Sequence, residues 1–157
     1  MLPSLSNASE LTQDDGSAKH NQEPVYYAKT NNSKDVMNVF KFLSDNSPVE
    51  FGLLGNKKNE WVIGTMRSNT VGAMLEKVKG FDFKNLTTHI HSHGENNQHA
   101  FRPSRNDVYI AKQIRSFNPS AAVNIYMPQL NMKNWNKAFP NQKINYNPDK
   151  MYKVITN

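Results

Sequence analysis

The chain has 157 residues, of which 37% are hydrophobic, with a mean hydropathy of -0.74 and no cysteine. This length suits one domain with a tail, and the low hydrophobic fraction indicates that part of the chain lies outside a core. The lack of cysteine excludes disulfides and thiolate metal sites, so any bound metal must be held by His, Asp or Glu. The net charge of +6 comes from lysines and arginines scattered along the sequence, which favours a solvated surface over a nucleic-acid footprint.

The N-terminal part of the sequence differs in composition from the rest. Residues 1–24 are rich in Ser, Asn, Asp and Gln without an apolar period, which predicts a disordered tail or linker before a folded domain at 25–157. No apolar run approaches the ~18 residues that span a bilayer, and the N-terminus lacks the pattern of a secretory signal. We therefore expect no membrane partner. The location stays open, and export as the C-terminal part of a larger polypeptide would fit the tail.

Hydrophobic periodicity predicts strands and helices in alternation along the folded part. Such alternation indicates a mixed α/β layer structure, with a central mixed sheet flanked by helices. Strands are predicted at 25–28, 48–55, 61–66, 87–94, 121–126 and 151–155, and the second and third of these are predicted to pair as a hairpin. Helices are predicted after Ser33 as the N-cap, over 71–78 with Gly80 at the C′ position, and after Pro103.

Three histidines alternate in the predicted strand at 87–94. His89, His91 and His93 share one face of it, because side chains of an extended chain repeat every second residue. Neighbouring members lie roughly 6.5–7 Å apart at Cα and can reach one metal ion, whereas the outer two lie roughly 13 Å apart and cannot. The strand can therefore supply two ligands, and Asp107 is the nearest candidate carboxylate for a third. The alternative is that each histidine is an ordinary polar residue of the strand.

Two further polar residues have both a structural and a functional interpretation. Ser104 and Asp107 have the spacing of a capping box before an apolar run, and such a carboxylate is also held rigidly enough to bind a metal. Glu50 belongs to an apolar run that looks buried, where a charge is costly unless it is paired or faces a cleft. Glu50 is either a water-exposed strand start or a general base beside a metal-bound water.

Taken in order, three segments resemble the signature of the JAMM/MPN+ (JAB-domain) zinc metalloproteases. They are Glu50-Phe-Gly-Leu-Leu-Gly55, His91-Ser-His-Gly94 and Pro103-Ser-x-x-Asp107. The resemblance implies a JAMM/cytidine-deaminase-like fold. Gly94 replaces the family's usual proline, and the polar loop before Pro103 is closer to bacterial members. The sequence is most similar to the JAB-like domains of bacterial polymorphic toxins.

The resemblance implies a role for each residue of the motif. His91, His93 and Asp107 would bind Zn²⁺ with water as the fourth ligand. Glu50 would deprotonate that water and later protonate the leaving amine, and Ser104 would stabilise the oxyanion. His89 and His99 match no ligand position of the motif.

The predicted function is a zinc metallopeptidase of JAMM type that cleaves peptide or isopeptide bonds as a bacterial toxin or effector domain. The expected partners are a protein or peptide substrate, ubiquitin-like or peptide-linked, and an immunity protein, while nucleic acid is not expected. Two alternatives are a nucleic-acid-associated protein similar to the RadC relatives, which share the histidine and Pro-Ser-x-x-Asp pattern, and a non-catalytic MPN-type scaffold.

Overall fold

A computed structural model describes residues 12–13, 26–47, 49–65, 78–93, 103–128, 133, 136–142 and 152–153. Within these residues a seven-stranded sheet has the order β1-β2-β4-β3-β5-β6-β7, and only the β5–β6 pair is parallel. The strands are β1 Thr12–Gln13, β2 Tyr26–Thr30, β3 Phe51–Asn56, β4 Trp61–Thr65, β5 Leu86–Ser92, β6 Ala122–Tyr126 and β7 Tyr152–Lys153. The helices are α1 Ser33–Asn46 and α2 Arg105–Phe117, with 3-10 turns at Phe83–Asn85 and Pro140–Gln142.

Among the described residues, the sheet has one α-helix on each face, which confirms the predicted α/β class. Alternation along β3 sends Leu53 and Leu54 to opposite faces, and each belongs to a different core cluster. The first cluster packs under α2 and the second under α1. The buried members of the first cluster are Leu54, Val62, Val78, Phe81, Leu86, Ile110, Ala111, Ile114, Ala121, Val123, Ile125 and Met127. The buried members of the second cluster are Val36, Phe40, Phe51, Leu53, Ile63, Ile90 and Tyr126.

The predicted hairpin of β3 and β4 is confirmed as an antiparallel pair, and its packing depends on a glycine. A Cβ atom at Gly55 would lie 2.7–2.9 Å from ring atoms of Trp61, its cross-strand partner. Because real Cβ contacts are not that short, only glycine lets the indole lie across the hairpin.

The ends of the helices differ in detail from the prediction. Asn32, not Ser33, is the N-cap of α1, and its Oδ1 accepts a hydrogen bond from the Asp35 N–H at 3.0 Å. Gly80 has φ +92°, as a C′ position requires, but the helix predicted at 71–78 lies mostly outside the described residues.

Some other predictions also fall on parts that are not described. Thr12–Gln13, within the segment predicted as a tail, pairs with β2, and the remainder of residues 1–24 lies outside the described residues. The polar loop at 94–102 lies outside them too. No helix in the described ranges is both long and apolar enough to cross a bilayer.

Candidate metal centre

The topology brings the end of β5 to the start of α2. Since β5 and β6 are parallel neighbours, the chain between them crosses over one face of the sheet through α2. His91 is the second-last residue of β5, His93 follows directly after the strand, and Asp107 lies in the first turn of α2. These three side chains therefore meet at one end of the strands, where β5 finishes and α2 begins.

The three side chains converge on one small volume. Nε2 of His91 lies 3.1 Å from Nε2 of His93 and 3.0 Å from Oδ1 of Asp107, and Nε2 of His93 lies 3.4 Å from Oδ2 of Asp107. In a tetrahedral zinc site with bonds of about 2.0–2.1 Å, neighbouring ligand atoms lie roughly 3.3–3.4 Å apart. One ligand atom from each residue can be chosen so that all lie within 4.8 Å of one another. The spacing and the donor set both fit a divalent cation.

Asp107 is fixed in place by the helix it begins. Its Oδ2 accepts a hydrogen bond from the Ser104 N–H at 2.6 Å, and Ser104 Oγ accepts one from the Asp107 N–H at 3.1 Å. This completes the predicted capping box, with Ser104 as the N-cap of α2. The carboxylate thus faces the imidazoles with its remaining lone pairs while its backbone is locked in the first turn.

The electrostatics of Asp107 reflect burial and its partners together. Burial by itself raises the pKa of the Asp107 carboxyl, but the hydrogen bonds of His91 and His93, the charge of His91 and the Ser104 N–H outweigh it. The net result is a pKa well below the usual value of 3.8. Because folding lowers the pKa of Asp107, this carboxylate stabilises the folded chain at pH values above the pKa it has in the unfolded chain. The contribution is lost as the pH falls from that value towards the pKa of the folded state.

The imidazole of His91 contacts Asp107 through Nε2, and the rest of the ring is held by packing. Its Nδ1 atom is buried and makes no hydrogen bond within the described part of the chain. The His89 ring meets it edge-on with centroids 5.8 Å apart, and the His93 ring lies at 5.0 Å. His89 is only 1% exposed and shares the face of His91, yet it is not part of the converging group.

Glu50 immediately precedes β3 and is buried, with 5% of its surface exposed. Its carbonyl accepts a hydrogen bond from Thr65 Oγ1 at 2.7 Å. Gly52 pairs with His91 across the antiparallel β3–β5 ladder, so two further residues along the register bring Glu50 level with His93. Strand alternation places Glu50 on the face that carries both histidines. The predicted base and the predicted ligands therefore lie on the same side of the sheet.

Sequence reasoning did not single out Ser92, which lies between the two ligand histidines. Ser92 is fully buried, and its Oγ accepts a hydrogen bond from the Phe51 N–H at 3.0 Å. This bond continues the β3–β5 ladder beyond its last backbone pair and ties the residue after Glu50 to the histidine strand. A serine on the opposite face of a strand gives no sequence signal for such a role.

The structure thus brings His91, His93 and Asp107 together, with Ser104 bonded to Asp107 and Glu50 on the same face. His89 lies beside this group, and His99 lies outside the described residues.

An α/β sheet with a His-His-Asp group at the junction of a strand and its crossover helix defines a candidate metal-binding domain. A family model described as JAB-like toxin 1 matches residues 28–112. A comparison with curated proteins and with solved structures found no match. The family match covers more than half of the chain, which therefore belongs to the family of JAB-like toxins.

Proposed function

We propose that the protein is a zinc-dependent hydrolase that cleaves peptide or isopeptide bonds. The observation that carries the proposal is the convergence of His91, His93 and Asp107, whose ligand atoms lie within 4.8 Å of one another. Three protein ligands with an open fourth position are typical of catalytic rather than structural zinc. Family membership supports the same chemistry, and the N, N, O donor set suits zinc in a chain without cysteine.

When bound, a zinc ion supplies a Lewis acid and makes hydroxide available from water near neutral pH. The chain's own residues would do the rest. Glu50, buried on the histidine face, would accept the proton of the attacking water and pass it to the leaving amine. Such a buried carboxylate suits this role because desolvation favours proton uptake.

Ser104 would donate a hydrogen bond to the oxygen that becomes negatively charged when the carbonyl is attacked. In the capping box Ser104 Oγ acts as an acceptor, from the Asp107 N–H. A hydroxyl that accepts one hydrogen bond still has its own proton to donate. The two roles are therefore compatible in one side chain.

The substrate would be a protein or a peptide, ubiquitin-like or peptide-linked, and an immunity protein would be the second partner. A non-catalytic scaffold is the weaker proposal, because a scaffold needs neither the converging ligands nor a buried Glu50.

The test is metal-dependent hydrolysis. The zinc content of the purified chain would be measured, the metal removed with a chelator and then restored with Zn²⁺. Each form would be incubated with a mixture of peptides from a proteome digest and with isopeptide-linked ubiquitin chains, and new amine termini would be identified by mass spectrometry. We expect cleavage in the loaded and restored forms only. Equal cleavage by a form shown to be free of metal would contradict the proposal.

Ser104 offers a second prediction that separates capping from catalysis. Ser104→Ala is expected to lower the free energy of unfolding by ~1 kcal/mol, and Ser104→Gly by only a few tenths, because glycine is a good N-cap and alanine is not. Both remove the hydroxyl, so both should lower kcat by about 10²–10³-fold. Urea unfolding and turnover would be measured for both. If Ser104→Gly kept full turnover, Ser104 would be a cap and nothing more.

A further inference from the structure

Lysines that are scattered in the sequence gather at one end of the sheet. This group, which we call the lysine end, draws on β2, on the turn between β3 and β4, and on the segment before β5. Four of its members are exposed and Lys29 is half-buried. Its members are Lys29, Lys57, Lys58, Lys79 and Lys84.

Hydrogen bonds between these segments hold the lysine end together. The Lys57 N–H donates to the carbonyl of Asn85 at 2.9 Å, and Asn85 directly follows Lys84. The Lys29 ammonium donates to the carbonyl of Lys79 at 3.5 Å. Residues far apart in sequence are thus fixed side by side, which the spacing of lysines along the chain gives no means of predicting.

The positive charge of the lysine end is not neutralised by its neighbours. None of the five ammonium groups forms an ion pair within the part of the chain that the structure describes. The nearby acids are Glu60 and Asp82, and each accepts a hydrogen bond from an asparagine amide instead, from Asn56 at 3.0 Å and from Asn85 at 2.6 Å. The described lysine end therefore carries an excess of three positive charges.

The lysine end lies opposite the candidate metal centre. Strand β3 begins directly after Glu50, at the end of the sheet that carries the metal centre. It reaches the β3–β4 turn after six residues, a rise of roughly 20 Å. Strand β5 runs in the opposite sense, from the lysine end to His91. Charge at the lysine end therefore does not belong to the hydrolytic site.

We propose that the lysine end binds the surface of bilayers rich in anionic lipids. Clusters of four or more lysines near a bilayer are attracted by its negative surface potential, without any geometric match to single headgroups. The expectation that no membrane partner exists rested on the lack of a spanning segment, and a peripheral contact of this kind does not need one. The metal centre would then face away from the bilayer into water.

The composition of the lysine end favours a lipid surface over other anionic partners. It has no arginine among its described residues, whereas arginine is the preferred residue for bidentate phosphate recognition in nucleic acids. Its aromatic neighbours Trp61 and Phe83 are partly buried against the two cores, so they present no stacking platform for bases. Protein interfaces, in turn, are depleted of lysine.

The test is cosedimentation of the full chain with vesicles of phosphatidylcholine alone or of phosphatidylcholine mixed with phosphatidylserine. We expect binding to the anionic vesicles only, and weaker binding as salt rises. Each lysine lost should lower the partition coefficient about fivefold, so the triple variant Lys57→Gln/Lys58→Gln/Lys84→Gln should bind roughly a hundredfold more weakly. The matched control Lys112→Gln/Lys133→Gln/Lys137→Gln removes three exposed lysines elsewhere and should keep most of the binding.

Three results would overturn the proposal. They are equal binding to both kinds of vesicle, equal loss in the triple variant and its control, and no vesicle binding together with a mobility shift of duplex DNA that the triple variant abolishes. The last would assign the lysine end to nucleic acid. Circular dichroism of both triple variants shows whether each is folded. The lysine end is independent of the proposed hydrolysis, so neither proposal fails with the other.

Discussion

Glu50→Gln is expected to lower hydrolysis by at least about 10²-fold, and by up to about 10⁴-fold, while the metal stays bound. Glutamine has nearly the shape of glutamate and keeps an amide oxygen, but it takes up no proton at working pH. Glu50 is not one of the three converging ligands, so its loss leaves His91, His93 and Asp107 intact. The measurements are kcat/KM on the substrate identified for the wild type and the metal content of the same sample.

A matched control is Glu60→Gln, which removes an exposed carboxylate from the β3–β4 turn. The Oε1 atom of Glu60 accepts a hydrogen bond from the Asn56 side chain, and a glutamine oxygen can keep that bond. Hydrolysis should therefore be unchanged in the control. An undiminished rate in Glu50→Gln would remove Glu50 from the mechanism, and loss of metal together with activity would make it a ligand instead of a base.

His91→Ala is expected to lower metal affinity by more than about 100-fold, since losing even an outer partner of a ligand costs 10–100-fold. Nε2 of His91 lies 3.1 Å from His93 Nε2 and 3.0 Å from Asp107 Oδ1, so it is central to the converging group. The measurement is zinc bound after dialysis against a weak chelator, by elemental analysis.

His89→Gln is the matched control for the ligand assignment. His89 lies on the same strand and the same face as His91, but it is not part of the converging group. We expect this variant to retain zinc. If a folded His89→Gln protein lost the ion as fully as His91→Ala, the choice of His91 and His93 as the strand's pair of ligands would be wrong.

The sequence predicted the His-His-Asp group and the capping box that the structure contains because the signals for both are local. Alternation alone limits a strand with three histidines to two ligands on one metal, and the spacing of Ser104 and Asp107 predicts the capping box that the structure contains. The α/β class follows from alternating periods, and the resemblance of the motif to the JAB-domain family is confirmed by the family match.

The remaining features depend on contacts between segments far apart in the chain. Gly52 pairs with His91, and this register brings Glu50 opposite His93. The register cannot be predicted from the sequence of either strand alone. The hydrogen bond from the Phe51 N–H to Ser92 Oγ and the gathering of lysines around the β3–β4 turn are set by the same long-range packing. The choice of Asn32 over Ser33 as the cap of α1 reflects two adjacent residues that are both good caps.

The carboxylate of Asp107 closes the first turn of α2 with one oxygen and faces the imidazoles with both. Cation occupancy and the winding of α2 are consequently linked equilibria, and each must favour the other by an equal free energy. Loading the ion should protect the amide hydrogens of that turn from exchange, and stabilising the turn by mutation should tighten uptake of the ion. With the proposed ion bound, helix folding and ion binding would share one coupling free energy, which either measurement would report.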